Sequence, residues 1–118
     1  MTTQTPIASL TDGPVPTTFV VNVLHAKPGL QDETFRLIQD VVRYVAGAKP
    51  GFLWSSLARS TDGLTVVNIE AISGAGDVDT FFADPEFQQR WARLDAVARH
   101  EFHVYRVDDL VLPALTAS

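Results

Sequence analysis

The sequence predicts an α+β sandwich in which two helices cover one face of a four-stranded antiparallel sheet. Three observations carry that expectation. Short β-branched runs and segments of helical periodicity follow one another as strand, helix, strand, strand, helix, strand, the split βαβ order of a ferredoxin-like fold. The two middle strands are joined through Asp62-Gly63, a tight-turn signal. At 118 residues, 46% of them hydrophobic, the chain can bury one core and no second domain.

The elements follow from local composition. Residues 1–17, rich in Thr, Pro and Gly, carry few apolar groups and read as a flexible N-terminal arm, with the domain spanning 18–111 and a tail over 112–118. Thr18 to Ala26 contains the run Phe19-Val20-Val21-Asn22-Val23-Leu24 and reads as a strand. Lys27-Pro28-Gly29 marks a turn. Over 31–46, Phe35, Ile38, Val42 and Val45 recur at three- and four-residue spacing, an amphipathic helix with Asp32 and Glu33 in its first turn. Pro50 and Gly51 end it, and Phe52 to Arg59 and Leu64 to Ile72 read as strands flanking the turn. A short helix is expected over 77–83. Pro85 opens a second long helix whose stripe is Phe87, Trp91, Leu94 and Ala98, and Phe102 to Leu110 reads as the last strand.

Charge and composition exclude several function classes. Nine basic residues against fourteen acidic ones give a net charge of −5 with no basic run, so neither nucleic acid nor an anionic membrane is an expected partner. There is no cysteine, which removes thiol nucleophiles, disulfides, Fe–S clusters and thiolate zinc sites. Three dispersed histidines, His25, His100 and His103, make no metal-ligand spacing, and no metal is expected. Neither a phosphate-cradling glycine loop nor a nucleophile elbow is present. Without a membrane-length apolar stretch or a signal pattern at the N-terminus, the expected compartment is the cytoplasm.

The strands are apolar on both faces. The first has Val20, Asn22 and Leu24 on one side and Phe19, Val21 and Val23 on the other; the third has Leu64, Val66, Asn68, Glu70 and Ile72 against Thr65, Val67, Ile69 and Ala71. Helices can cover only one side, so the other predicts packing against a second copy, a homodimer. Asn22 and Asn68 stand out among these β-branched neighbours. A buried amide needs a hydrogen-bond partner. The partner is either a bulge or a neighbouring backbone group, or an oxygen of a flat apolar ligand held in a cavity.

These segments resemble the antibiotic biosynthesis monooxygenase family of dimeric α+β barrels, over about residues 18–111. The likeness rests on Val21-Asn22-Val23, the Pro28-Gly29 turn, Lys49-Pro50-Gly51-Phe52-Leu53, Ser60-Thr61-Asp62-Gly63, Val66-Val67-Asn68-Ile69 and Ala83-Asp84-Pro85-Glu86-Phe87. It is closest in look to the small anthrone-type oxygenases of aromatic polyketide pathways. The resemblance implies a homodimer that uses no cofactor, metal or flavin and oxidises an anthrone or phenol to a quinone with O2. Asn22 and Asn68 match the family's asparagines and would hold the substrate oxygen or the peroxide. Where the family motif carries a tryptophan four residues after the second asparagine, this chain has Ile72. The heme-degrading branch also needs a histidine in the next helix, and 77–83 contains none. A polyketide cyclase, or a non-catalytic binder of an apolar aromatic ligand, would use the same scaffold.

Other residues are candidates by type and position. Glu70, on the strand face of Asn68, would have a raised pKa if buried and could take a proton from substrate; otherwise it pairs with an arginine. His103 and Tyr105 share a face of the last strand, as a base and a hydrogen-bond donor or as edge and dimer contacts. Arg90 would meet a ligand oxygen or solvent. Of the aromatic set Phe35, Trp54, Phe81, Phe82, Phe87 and Trp91, mostly core, Trp54, Phe82 and Trp91 are the ones expected against substrate, together with Ile72 and Tyr105.

Overall fold

The structure is a computed structural model, and it describes residues 18–73 and 82–114. The arm expected over 1–17, most of the short helix expected over 77–83 and the last four residues of the tail lie outside the described residues. The elements are β1 (Thr18–Ala26), α1 (Gln31–Ala48), β2 (Phe52–Arg59), β3 (Thr65–Ile72), α2 (Pro85–Asp95) and β4 (Ala98–Arg106). The strands form one antiparallel sheet in the order β2-β3-β1-β4, the ferredoxin-like arrangement predicted from the element order.

Cross-strand register sets which residues meet the helices. On β1, Thr18, Val20, Asn22 and Leu24 are buried on the helix side, while Phe19, Val21 and Val23 on the open side are half-buried. Pairing Asn22 with Asn68, Val20 with Glu70 and Leu24 with Val66 carries the same division onto β3. α1 inserts Thr34, Ile38, Val41, Val42 and Val45, a spacing that keeps them on one helical face. Ile38 and the three valines pack with Leu24, Val66, Phe87, Leu94 and Ala98 in one core. Each fully buried aliphatic chain there contributes about 1.5–3 kcal/mol. No helix among the described residues is long and apolar enough to cross a membrane.

The last strand differs from its expected bounds. Ala98 completes a helical stripe in sequence, yet α2 stops at Asp95 and β4 begins at Ala98 and ends at Arg106, four residues before the expected Leu110. The cause is non-local. β1 offers nine residues to be paired, from Ala26 against Ala98 to Thr18 against Arg106, and that ladder outweighs local helical preference. Val97 marks the switch, donating to Leu94 O and accepting from Lys27 N at 2.8 Å.

α2 is anchored at its start. Asp84 caps it, its Oδ1 accepting from the backbone N–H of Glu86 at 2.9 Å and of Phe87 at 3.4 Å. Its Oδ2 accepts from the Tyr44 hydroxyl at 2.7 Å and lies 3.0 Å from Lys49 Nζ, tying the cap to α1. The Tyr44 and Lys49 bonds hold the Asp84 carboxyl down at about 2. Because the folded value lies below the ordinary 3.8, this stabilisation is present above pH 3.8 and is lost as the pH falls through about 2. Thermal melts of Asp84→Ala are expected to lie below wild type at pH 7 and to converge on it near pH 2. A constant gap across that range would show that the carboxylate is not what anchors the helix.

Candidate functional site

Between the sheet and the two helices lies a cavity of about 240 Å³, near the lower end of small-molecule sites. Its floor is built by Val20 and Asn22 of β1, Asn68 and Glu70 of β3, and His100 and Phe102 of β4. The valines of α1 with Ile38 form the roof, and Phe87 and Trp91 of α2 form a wall continued by Phe82. That wall is a run of ring contacts. Phe87 stacks on Trp91 at 5.7 Å, and Phe82 meets Phe87 and Phe102 edge-on at 5.8 and 5.1 Å. Such a slot accepts a flat apolar body between ring faces and aliphatic walls.

Polar groups are concentrated on the floor. Asn22 and Asn68 are 5% and 2% exposed and lie directly opposite each other in the β1–β3 register. Asn68 Nδ2 donates to Asn22 Oδ1 at 2.9 Å, and the Ser55 hydroxyl donates to Asn68 Oδ1. Glu70 is 4% exposed, and its Oε2 has no hydrogen-bond partner. Burial raises its carboxyl to about 7, while a hydrogen bond from Asn68 acts in the opposite direction. Among the described residues of the chain no arginine pairs with Glu70, and Val20 and Ser55 flank it on the neighbouring strands. A carboxyl half-ionised near neutral pH, beside amide donors in an apolar enclosure, can exchange a proton with a weakly acidic carbon or hydroxyl.

The candidate residues separate into two groups. Asn22, Asn68, Glu70, Phe82 and Trp91 meet at the cavity. His103 and Tyr105 face away from it, because β4 pairs them with Val21 and Phe19, which point to the open side of the sheet. Trp54 is also on that side, turned there by an irregularity between Phe52 and Trp54 and packed edge-on against Phe19 at 5.6 Å. Ile72 is buried in the β1–β3 ladder opposite Thr18, outside the cavity lining. Arg90 is held by Asp40 of α1 at 2.7 Å and Glu86 at 2.8 Å, over the Tyr44 ring, and does not line the cavity.

Two polar residues at the site were not singled out from sequence. Ser55 completes the amide pair from β2. His100 lines the cavity from β4, with its Nδ1 3.5 Å from Asp95 and its ring edge-on to Trp91 at 5.0 Å. Counting outward from the Asp62-Gly63 turn places Ser55 beside Glu70. No comparable signal exists for His100 while Ala98 reads as helix.

No protein-family model matches the chain, and no curated protein matches it in sequence. Solved structures do match. SnoaB, a cofactor-independent oxygenase from Streptomyces nogalater, is 22% identical, with a TM-score of 0.72 over 85% of this chain and 100% of that one. A monooxygenase from the gene ActVA-Orf6 of Streptomyces coelicolor, in complex with the ligand nanaomycin D, is 22% identical, with a TM-score of 0.73 over 87% and 97%. A protein of Chloroflexus aurantiacus J-10-fl, provisionally described as an antibiotic biosynthesis monooxygenase, is 15% identical, with a TM-score of 0.64 over 80% and 96%. These neighbours match the family that the sequence motifs resemble, and at these identities what they establish is a shared fold.

Proposed function

We propose that this chain is a cofactor-independent monooxygenase that converts an anthrone or related phenol of aromatic polyketide type to a quinone with O2. The observation that carries the reading is the ring-lined cavity whose floor joins a buried carboxyl with one free oxygen to a pair of buried amides. The relation in fold to SnoaB and the ActVA-Orf6 protein supports it. In this reading the active form is a cytoplasmic homodimer joined through the open sheet face, and Phe82, Phe87 and Trp91 hold the substrate plane.

The chemistry requires a carbanion. The Glu70 carboxylate takes a proton from the ring CH2, and amide donors of the Asn22–Asn68 pair stabilise the oxyanion that develops on the conjugated oxygen. The electron-rich anion passes one electron to O2. The resulting carbon radical and superoxide combine to a peroxide, which is protonated by the acid form of Glu70. Loss of the remaining C–H proton with cleavage of the O–O bond leaves the new carbonyl and releases water. Overall one CH2 and one O2 become one C=O and one H2O, with every electron supplied by substrate. The enclosing valines and aromatic rings keep bulk water from the peroxide.

The test is oxygen uptake with the anthrone dithranol, followed together with quinone absorbance. Stoichiometric uptake is expected, and Asn22→Ala is expected to lower kcat by about 10²-fold, the cost of losing one oxyanion donor. No quinone above the spontaneous rate with any anthrone or naphthol would refute the oxygenase reading. Dehydration of a poly-β-ketone without O2 uptake would instead identify a cyclase.

A further inference from the structure

We infer that Ser55 is a positioning residue: its hydroxyl orients the Asn68 amide and, through it, Asn22, so that the Asn22 NH2 group is the donor offered to a substrate oxygen. The inference rests on the proposed oxygenase reading only for the identity of that oxygen. The relay itself stands on the hydrogen bonds. Asn68 Oδ1 can only accept, and it takes the Ser55 proton; Asn68 Nδ2 then donates to Asn22 Oδ1 at 2.9 Å. With its own oxygen occupied, Asn22 is left with its two N–H groups, and it is a cavity-lining residue. Asn68, 2% exposed, is the bridge rather than the end of the chain.

A relay of one hydroxyl and two amides can in principle run in either direction, because a hydroxyl also accepts. Glu70 breaks that symmetry. A flipped Asn68 would set its oxygen against the carboxylate, whereas the amide donor it presents in this orientation acts to lower the Glu70 carboxyl. Ser55 lies in register with Glu70 across the β2–β3 pair, so a single strand position serves both groups. No second charge competes among the described residues lining the cavity. α1 and α2 present aliphatic and aromatic side chains, β1 presents Val20 beside Glu70, and the other titratable lining residue, His100, is on β4 opposite Leu24.

The experiment uses the full chain with ¹³C-labelled glutamate carboxyls, the Glu70 resonance being assigned by its loss in Glu70→Gln. Removing the hydroxyl in Ser55→Ala frees Asn68 to flip, and the Glu70 titration is expected to move up by about one pH unit. Ser55→Thr, which keeps the hydroxyl, is expected to restore it. Ser55→Cys, with a weaker donor of similar shape, gives a smaller displacement in the same direction and serves if the alanine variant does not fold. With dithranol, the acidic limb of kcat/KM follows the same shift and kcat falls by about tenfold, with KM nearly unchanged. An unmoved Glu70 titration in Ser55→Ala or Ser55→Cys overturns the relay. Expected NMR shifts in a protein that oxidises no anthrone uphold the relay and sink the oxygenase reading, so the two failures are distinguishable.

Discussion

Replacing Glu70 with Gln is expected to lower anthrone turnover by about 10²–10⁴-fold, the range that a positioned base contributes. Gln has the same shape and cannot take a proton, so the cavity and the amide pair stay in place. The pH dependence has a defined sign. Glu70 serves as a base only when ionised, and burial places its folded value at about 7. Wild-type kcat/KM therefore rises with pH through about 7 and levels off above it. The residual activity of Glu70→Gln loses that limb. Retention of full activity with the limb intact would assign the base to another residue.

The same carboxyl writes a second signature into stability. Its folded value lies above the ordinary 4.5, so its neutral form is the one that the fold accommodates. The stability this contributes is complete below pH 4.5 and is lost as the pH rises through about 7. The difference corresponds to roughly 3 kcal/mol between those limits. Urea titrations at pH 4.5 and pH 8 are expected to show wild type weakening relative to Glu70→Gln by about that amount. Asp84 does not interfere, because its own transition lies at lower pH. The wild-type residue thus costs stability at the pH where it would work, as a group retained for chemistry does. Parallel urea stabilities from pH 4.5 to 8 would mean that Glu70 is hydrated in solution and is not the poised base.

How much of this could be read in the sequence follows from which interactions were local. β1 and β2 match their expected bounds, and α1 extends only two residues past its expected end, because β-branched runs and a helical stripe are properties of a few neighbouring residues. The division of β1 and β3 into two faces was equally legible, since pleat alternation needs no partner. It brought Asn68 and Glu70 to one side and suggested Asn22 beside them. What escaped was set by pairing. The start of β4 at Ala98 depends on the length of β1, and without that register the side chosen by His100, His103 and Tyr105 was undetermined. Trp54 changes sides at an irregularity in the β2–β3 ladder that its sequence does not mark. Ser55 is a serine in an ordinary strand until Glu70 and Asn68 are placed next to it.

The open face of the sheet predicts the other large effect. Val21 and Ile69 are paired in register at its centre, with Phe19, Ala71 and Trp54 on one side and Val23 and Val67 on the other. The helices cover the opposite face, so in a single chain this one meets water. Trp54 packs against Phe19 within this face, and among the described residues its buried Nε1 has no acceptor. Charged groups gather at the β4 side, where Glu101 lies 2.5 Å from His25 and 3.7 Å from His103, as a rim around an apolar centre would be. Light scattering is therefore expected to give twice the 12.9 kDa chain mass at micromolar concentration. Ile69→Asp places a charge at the centre of the face, and two-fold symmetry sets it against the same charge of the other copy. An unpaired buried charge costs about 3–5 kcal/mol, which loosens the dimer by 10² to 10³-fold or more. The cavity is lined by residues of one chain, so the Ile69→Asp monomer is expected to keep an intact site while losing its partner. A wild-type chain of 12.9 kDa in solution would leave Trp54 and the valine rows without their cover and refute the dimer.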